Sequence, residues 1–327
     1  MKAVHTKPVR LLVVSFFTLL ITLNVFAQNT RLTPVEYNTD QLVEMAVVGR
    51  IAEARLGSPP YRVGADGQLR VWPATGSITY NFRTGDNAVN LAGDHVEPAV
   101  TLFHSNDRSS GESRGFNILS CIGNRVRVLD GDARGEWGYV IGKHGGSEHV
   151  MVDFKDPEVM RRMTPGDRMQ VYAKGVGMEL LNAGDVMAFN MSPELMDALT
   201  NAGMGITRDG KLRIGVARVV PAKIMGSGLG QNHVYSGDYD IQLFDEEVVA
   251  KYNLDQLRFG DIVAITDADH SYGRIFRTGS VTIGVITHSG SIIAGHGPGV
   301  STLFTSTSGN IEFIMDDRAN LKYLLLQ

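Results

Sequence analysis

The dipeptide Gly-Asp occurs seven times in this chain, beginning at Gly85, Gly93, Gly131, Gly166, Gly184, Gly237 and Gly260. From Tyr61 onward these pairs punctuate short apolar runs that are themselves broken by glycine. Asp and Gly both tolerate the dihedral angles of tight turns, so each pair marks a place where the chain reverses. Two copies echo one another, MTPGDRMQVYA (163–173) and LRFGDIVAIT (257–266): in each a Gly-Asp turn leads into an alternating strand. Short strands with turns this frequent predict a mainly β fold, a barrel-like or sandwich two-part architecture with a few short helices.

Helical signals are sparse. Residues 38–55 read as a helix, with Leu42, Met45, Ala46, Ile51 and Ala52 on one side and Asn38 with Gln41 as a capping box, stopped by Gly57 and Pro59-Pro60. Ser192-Pro193-Glu194 opens a second, with serine as cap and proline in the first turn. Residues 245–252 and 317–325 read as two more. The pattern loosens at NAGMGITRDG, which divides the chain into a β-rich part, residues 28–205, and a barrel-like part, residues 206–327.

The first 27 residues stand apart. Lys2, Lys7 and Arg10 precede a short, almost unbroken apolar run that ends at Ala27. A basic start, a short apolar core and a small exit residue describe a secretory signal peptide. Export to the periplasm or the extracellular space is therefore expected, with no membrane association after cleavage. Removal takes away three positive charges and no negative ones, so the net charge of −4 becomes more negative. An acidic chain of this kind argues against nucleic acid as a partner. Cys121 is the only cysteine, so there is no internal disulfide; in the apolar setting ILSCIG it reads as a buried, inert thiol.

The stretch GKHGGSEHVMVDF, residues 142–154, carries two histidines around a Gly-Gly pair. It lacks the spacing of a zinc-protease helix, and Gly-Gly would weaken any helix. A hairpin with Gly145-Gly146 as a two-residue turn fits better. In that register His144 faces Ser147, Lys143 faces Glu148 as a structural charge pair, and Gly142 faces His149. His144 and His149 then share a face as diagonal neighbours, about 7–8 Å apart at the backbone, and could converge on one ion. Two histidines make a poor metal site alone. GDHVEPAV (93–100) offers His95 and Glu97, which share a face if extended. The expected metal set is therefore His95, Glu97, His144 and His149 around one divalent ion, zinc or manganese.

The second part holds its own polar groups. SGDYDI places Asp238 and Asp240 on one face, and TDADHSYGR supplies Asp267, Asp269 and His270, oxygen-rich segments that suit calcium or magnesium or form a plain Asx-rich turn. MGSGLGQ lacks the dinucleotide-binding spacing. AGHGPGVST sets His296 among glycines, as an anion cradle or as a tight turn. His296, Asp269 and His270 are the candidate catalytic residues.

Taken together and in order, YRVGADGQLRVWPATGSITYN, GDHVEPAV, CIGN, GKHGGSEHVMVDF, MGSGLG, GDYDI, LRFGDIVAITDADHSYGR, TIGVITHS and AGHGPGV resemble a prokaryotic family catalogued as domain of unknown function 4438, from about residue 60 to residue 320. The resemblance implies a largely β, two-part architecture and carries over no catalytic residues. The export signal departs from that pattern. DYDI followed by LRFGDIVAITDADHSYG is also similar to the metal-dependent acetamidase/formamidase family, although the Asp-His pair is spaced differently and an acidic element is missing. The function expected is a metal-assisted hydrolase of amide or ester bonds in a small polar molecule, in which the ion activates water. A non-catalytic ligand-binding or assembly module, which could form a homo-oligomer, is the alternative.

Overall fold

The computed structural model describes residues 32–327; the segment read as an export signal lies outside the described residues. The mainly β reading holds. Six strands close into an antiparallel barrel: Met45–Ile51, Arg168–Ala173, Arg125–Val128, Trp137–His144, His149–Phe154 and Ala99–Phe103, the last returning to pair with the first through Arg50 and Phe103. A second sheet runs Met187–Ala188, Gly299–Ser306, Ile275–His288, Ile262–Asp269 and Arg218–Pro221, with the short strand Tyr239–Asp240 beside Gly299–Ser306. Both faces of this sheet are covered. Along Ile262–Asp269, Ile262 and Ala264 join the core that fills the barrel, whereas Val263 and Ile265 join a second core around Leu254, Leu257 and Phe259. That double burial is why the strand reads as an unbroken apolar run, IVAI, with no polar alternation. Among the described residues no helix is long and apolar enough to cross a membrane.

Three of the seven Gly-Asp turns share one closure. Asp86, Asp167 and Asp261 each accept a hydrogen bond from the main-chain N–H three residues earlier, of Arg83, Thr164 and Arg258, at 2.8–3.0 Å. Gly166 and Gly260 take left-handed φ values of 98° and 80°, and the two echoed segments run on into Arg168–Ala173 and Ile262–Asp269 as the sequence implies.

The helix expected over residues 38–55 is a correction. Only a short 3₁₀ turn, Thr39–Gln41, forms, and Met45–Ile51 is a barrel strand. Val47, Gly49 and Ile51 point inward with a period of two, and the apolar Ala46 and Val48 between them mimic a helical stripe. Gly49 lies under the Phe116 ring, where a Cβ would collide. Asn38 does not cap; its amide donates to the Gly177 carbonyl and accepts from the Glu179 N–H. Phe116 belongs to a helix the sequence concealed behind two glycines, Gly111–Leu119, capped by Ser110. Pro193–Asn201 and Glu246–Tyr252 form with Ser192 and Asp245 as caps, while the last helix is shorter than expected, Leu321–Leu325 after Asn320.

The hairpin exists in a different register. His144 pairs directly with His149 across a four-residue turn, Lys143 with Val150 and Gly142 with Met151; a bulge at Ile141 then restores Val140 to Val152. The two-residue turn fails because it needs φ > 0 at both central positions, whereas the left-handed residues are Gly146 and Glu148. The turn is shaped from outside, by Asp238 accepting from the Gly145 N–H at 2.7 Å. Lys143 does not face Glu148. It is buried, and its Nζ donates to the carbonyls of Ile118 and Tyr235 and to Asn190 Oδ1.

Candidate metal centre

The barrel and the second sheet meet along the end of this hairpin. A Cβ at Gly142 would strike Thr287, so the glycine lets the two layers touch. The loop before Ala99–Phe103 is laced to the segment after Ile275–His288: Val96 N–H donates to Ser289 Oγ, Ser289 N–H to the Val96 carbonyl, and Ser291 Oγ to Asp94 Oδ1. His95, with φ 56°, sits in that lacing. Gly297 and Gly226 carry no Cβ because the Ile241 and Gly295 carbonyls press against them. Of the glycines beside His296, Gly297 therefore serves close packing against Ile241, and Gly295 supplies a left-handed turn with φ 82°.

Six side chains converge as two adjacent groups. In the first, His296 Nδ1 lies 3.1 Å from His95 Nε2 and 3.0 Å from Asp240 Oδ2, and His95 Nε2 lies 3.8 Å from the same oxygen. In the second, His288 Nε2 touches Asp238 Oδ2, and the His144 ring stacks on His288 with centroids 4.2 Å apart. Within each group one ligand atom per residue lies within 4.8 Å of the others. The groups adjoin, because Asp240 Oδ1 stands 3.7 Å from His288 Nε2 while its Oδ2 serves the first group. Each group takes one histidine from the barrel side and an aspartate and a histidine from the sheet side.

Hydrogen bonding fixes which ring atoms face inward. His144 Nδ1 is 2.6 Å from Glu97 Oε1, His288 Nδ1 is 2.9 Å from the Ser289 carbonyl, and His95 Nδ1 is 3.3 Å from Asp94 Oδ1. Each of these nitrogens faces an acceptor and so carries a hydrogen, which turns Nε2 of each ring into the cluster. Three Nε2 atoms and two carboxylates thus face one another, with a proton on Nε2 wherever it meets a carboxylate and a lone pair offered once an ion takes that proton's place. Burial alone would push His288 down, yet Asp238 and Asp240 raise it well above the ordinary histidine value. Burial would raise Asp240, yet hydrogen bonds from His288, His296 and His95 hold it far below the usual carboxylate range. The site strongly favours positive charge between these groups. Gly299 completes it: a Cβ there would collide with both Asp238 Oδ2 and His288 Nε2.

Glu97 and His149 lie outside both groups. Glu97 is fully enclosed; Oε1 meets His144 and His149, and Oε2 accepts from the Gly76 N–H at 2.7 Å and Thr101 Oγ1 at 2.9 Å. It acts from behind, orienting His144. Asp269 accepts from the Ser271 N–H and lies 3.3 Å from Arg277, and His270 Nδ1 bonds Thr302 Oγ1; neither lines the cavity over the cluster. Burial, aided by the nearby Arg274 charge, pushes His270 down to about 3. Sequence reading missed His288, a lone histidine closing an apolar strand, and set Asp238 and Asp240 apart from the hairpin.

All of the cluster but the fully enclosed His288 lines the floor of a cavity of about 330 Å³, whose walls include Arg274, Gln231, His233 and Glu148. A floor of imidazole nitrogens and carboxylate oxygens beneath open space is a donor set suited to zinc or manganese with room left for water.

No curated protein matches the chain by sequence. A solved structure titled "Crystal structure of TM1086" is 42% identical, covers 89% of this chain and 99% of its own, and superposes with a TM-score of 0.82. Two family models match end to end: "Domain of unknown function (DUF4438), N-terminal" over residues 61–197 and "Domain of unknown function (DUF4438), C-terminal" over residues 202–325. The chain, with both family models matched in turn, belongs to the DUF4438 family.

Proposed function

We propose that the chain is a metal-dependent hydrolase of a small polar substrate, with two divalent ions held side by side, one by His95, Asp240 and His296 and one by His144, Asp238 and His288. The observation that carries this reading is the convergence of histidine ring nitrogens and carboxylates, with no lysine or arginine among them, beneath an open cavity. Structural metal sites are closed by four protein ligands, whereas catalytic ones keep a position free; three protein ligands per group under open space fit the second description. Asp240 spans the groups, one oxygen toward each. Bound ions would supply Lewis acidity and a water of lowered pKa for attack on an amide or ester carbonyl. Glu97 supports His144, and Asp94 supports His95. Zinc or manganese matches the nitrogen and oxygen donors. Export rests on the N-terminal sequence pattern alone, and the reading needs no nucleic acid or membrane partner.

Elemental mass spectrometry of the purified, gently desalted protein tests this. About two transition-metal ions per chain are expected, falling sharply in Asp240→Asn, together with amidase or esterase turnover that chelation abolishes. A protein that carries no ion and gains no thermal stability from added zinc or manganese would sink the hydrolase and leave a binding module.

A further inference from the structure

Arg274 is the least explained charge in the molecule. It lines the cavity beside the cluster, and the residue is only 2% exposed. Among the described residues, its Nε and Nη2 are buried with no hydrogen-bond partner and no carboxylate lies within ion-pair distance. The Tyr239 ring lies 5.8 Å from the guanidinium carbon, and Asp238 and Asp240 attract the charge from beyond ion-pair distance without offsetting its burial. The main chain on either side is fixed, with Arg274 N–H donating to the Gln231 carbonyl and its own carbonyl accepting from the Gly230 N–H at 2.9 Å. Gly228 gives the guanidinium room, since a Cβ there would stand 3.2 Å from Nη1. A buried, unpaired cation is costly unless a ligand completes it. A guanidinium is built to receive a carboxylate or a phosphate through two parallel hydrogen bonds.

We infer that Arg274 is the recognition residue for an oxyanion group carried by the substrate, a carboxylate or a phosphate. The inference deepens the hydrolase reading and rests on it for the fate of the bound molecule. The anionic end sits at Arg274 and the bond to be cleaved lies over the His-Asp floor. Substrates are then small anionic esters or amides, and neutral ones of the same size are poor.

Calorimetry with inorganic phosphate and with succinate separates the two sources of the anion. Wild type, Arg274→Met and Arg274→Lys are compared, each metal-loaded and chelated, with metal content measured in parallel. The expected result is binding of at least one probe by wild type even after chelation. Arg274→Met weakens it about tenfold or more, Arg274→Lys restores part of it, and metal content does not change. Arg274→Met should also melt higher than wild type when no anion is present, because an unpaired buried charge has been replaced by an apolar chain; a structural arginine would give the opposite shift. Anion affinity unaltered in Arg274→Met, no binding of either probe, or a lower melting temperature or misfolding of Arg274→Met overturns the inference. Wild type that binds anions through Arg274 but holds no metal keeps this inference and removes the hydrolase. Metal-loaded protein whose anion binding ignores Arg274 does the reverse.

Discussion

Two buried charges flank the same cluster and are treated in opposite ways. Glu97 has every lone-pair direction occupied, by two histidines, a main-chain N–H and a threonine hydroxyl, and burial is outweighed by His149 and His144, so it is held well below the usual carboxylate range. Arg274 has a guanidinium with two buried, unpartnered nitrogens. The difference teaches how to read a pocket. A charge satisfied by its own chain is scaffold, and a charge left open is a statement about what arrives from outside.

The comparison breaks most visibly at Glu97. Glu97→Ala strands two imidazoles in a closed space and should cost about 3–5 kcal/mol, with loss of bound metal, whereas Arg274→Met should stabilise; denaturant titration of both variants gives the two signs. A variant of Glu97 that unfolds like wild type would make Glu97 as dispensable as the open charge.

Gly299→Ala probes the floor between them. The added methyl meets Asp238 and His288, so metal content should fall, and overpacking should cost about 1–3 kcal/mol. Full metal content in this variant, measured by elemental analysis, would move the ion away from that group.

Behind Arg274 the effect is graded by pH. His270 is pushed down to about 3, first by burial and then by the arginine, against an unperturbed 6.5. The unfolded chain therefore binds the extra proton across that window. Stability should fall as pH drops from about 6.5 toward 3, by about 1.4 kcal/mol per unit from this residue. His270→Gln flattens that slope, and Arg274→Met narrows the window by lifting the histidine. Urea midpoints at pH 4, 5 and 6 read both; equal slopes in wild type and His270→Gln would place the acid sensitivity elsewhere.

What was legible in the sequence follows from the range of the interactions. The two echoed Gly-Asp turns are closed by carboxylates three residues away, so the strands that follow them could be read. His95 and His144 stood out because each lies in a short polar segment. The hairpin register was not legible, because the turn is bent by Asp238, 93 residues away. His288 was hidden for the same reason: its partner Asp238 is 50 positions distant, and a histidine after TIGVIT looks like the end of a buried strand. Met45–Ile51 misled because a strand with apolar residues on both faces and a helix with an apolar stripe share this short pattern. Arg274 gave no signal at all, since the lack of a partner is a property of the folded surroundings.

Neither half of the chain owns the whole cluster: residues 61–197 bring His95 and His144, and residues 202–325 bring the other four members. During synthesis the barrel is made first and must wait. His296, near the end of the chain, is among the last ligands to arrive. On the proposed reading, an ion could be held only at the close of folding, and it would be drawn from the compartment where the final strands settle.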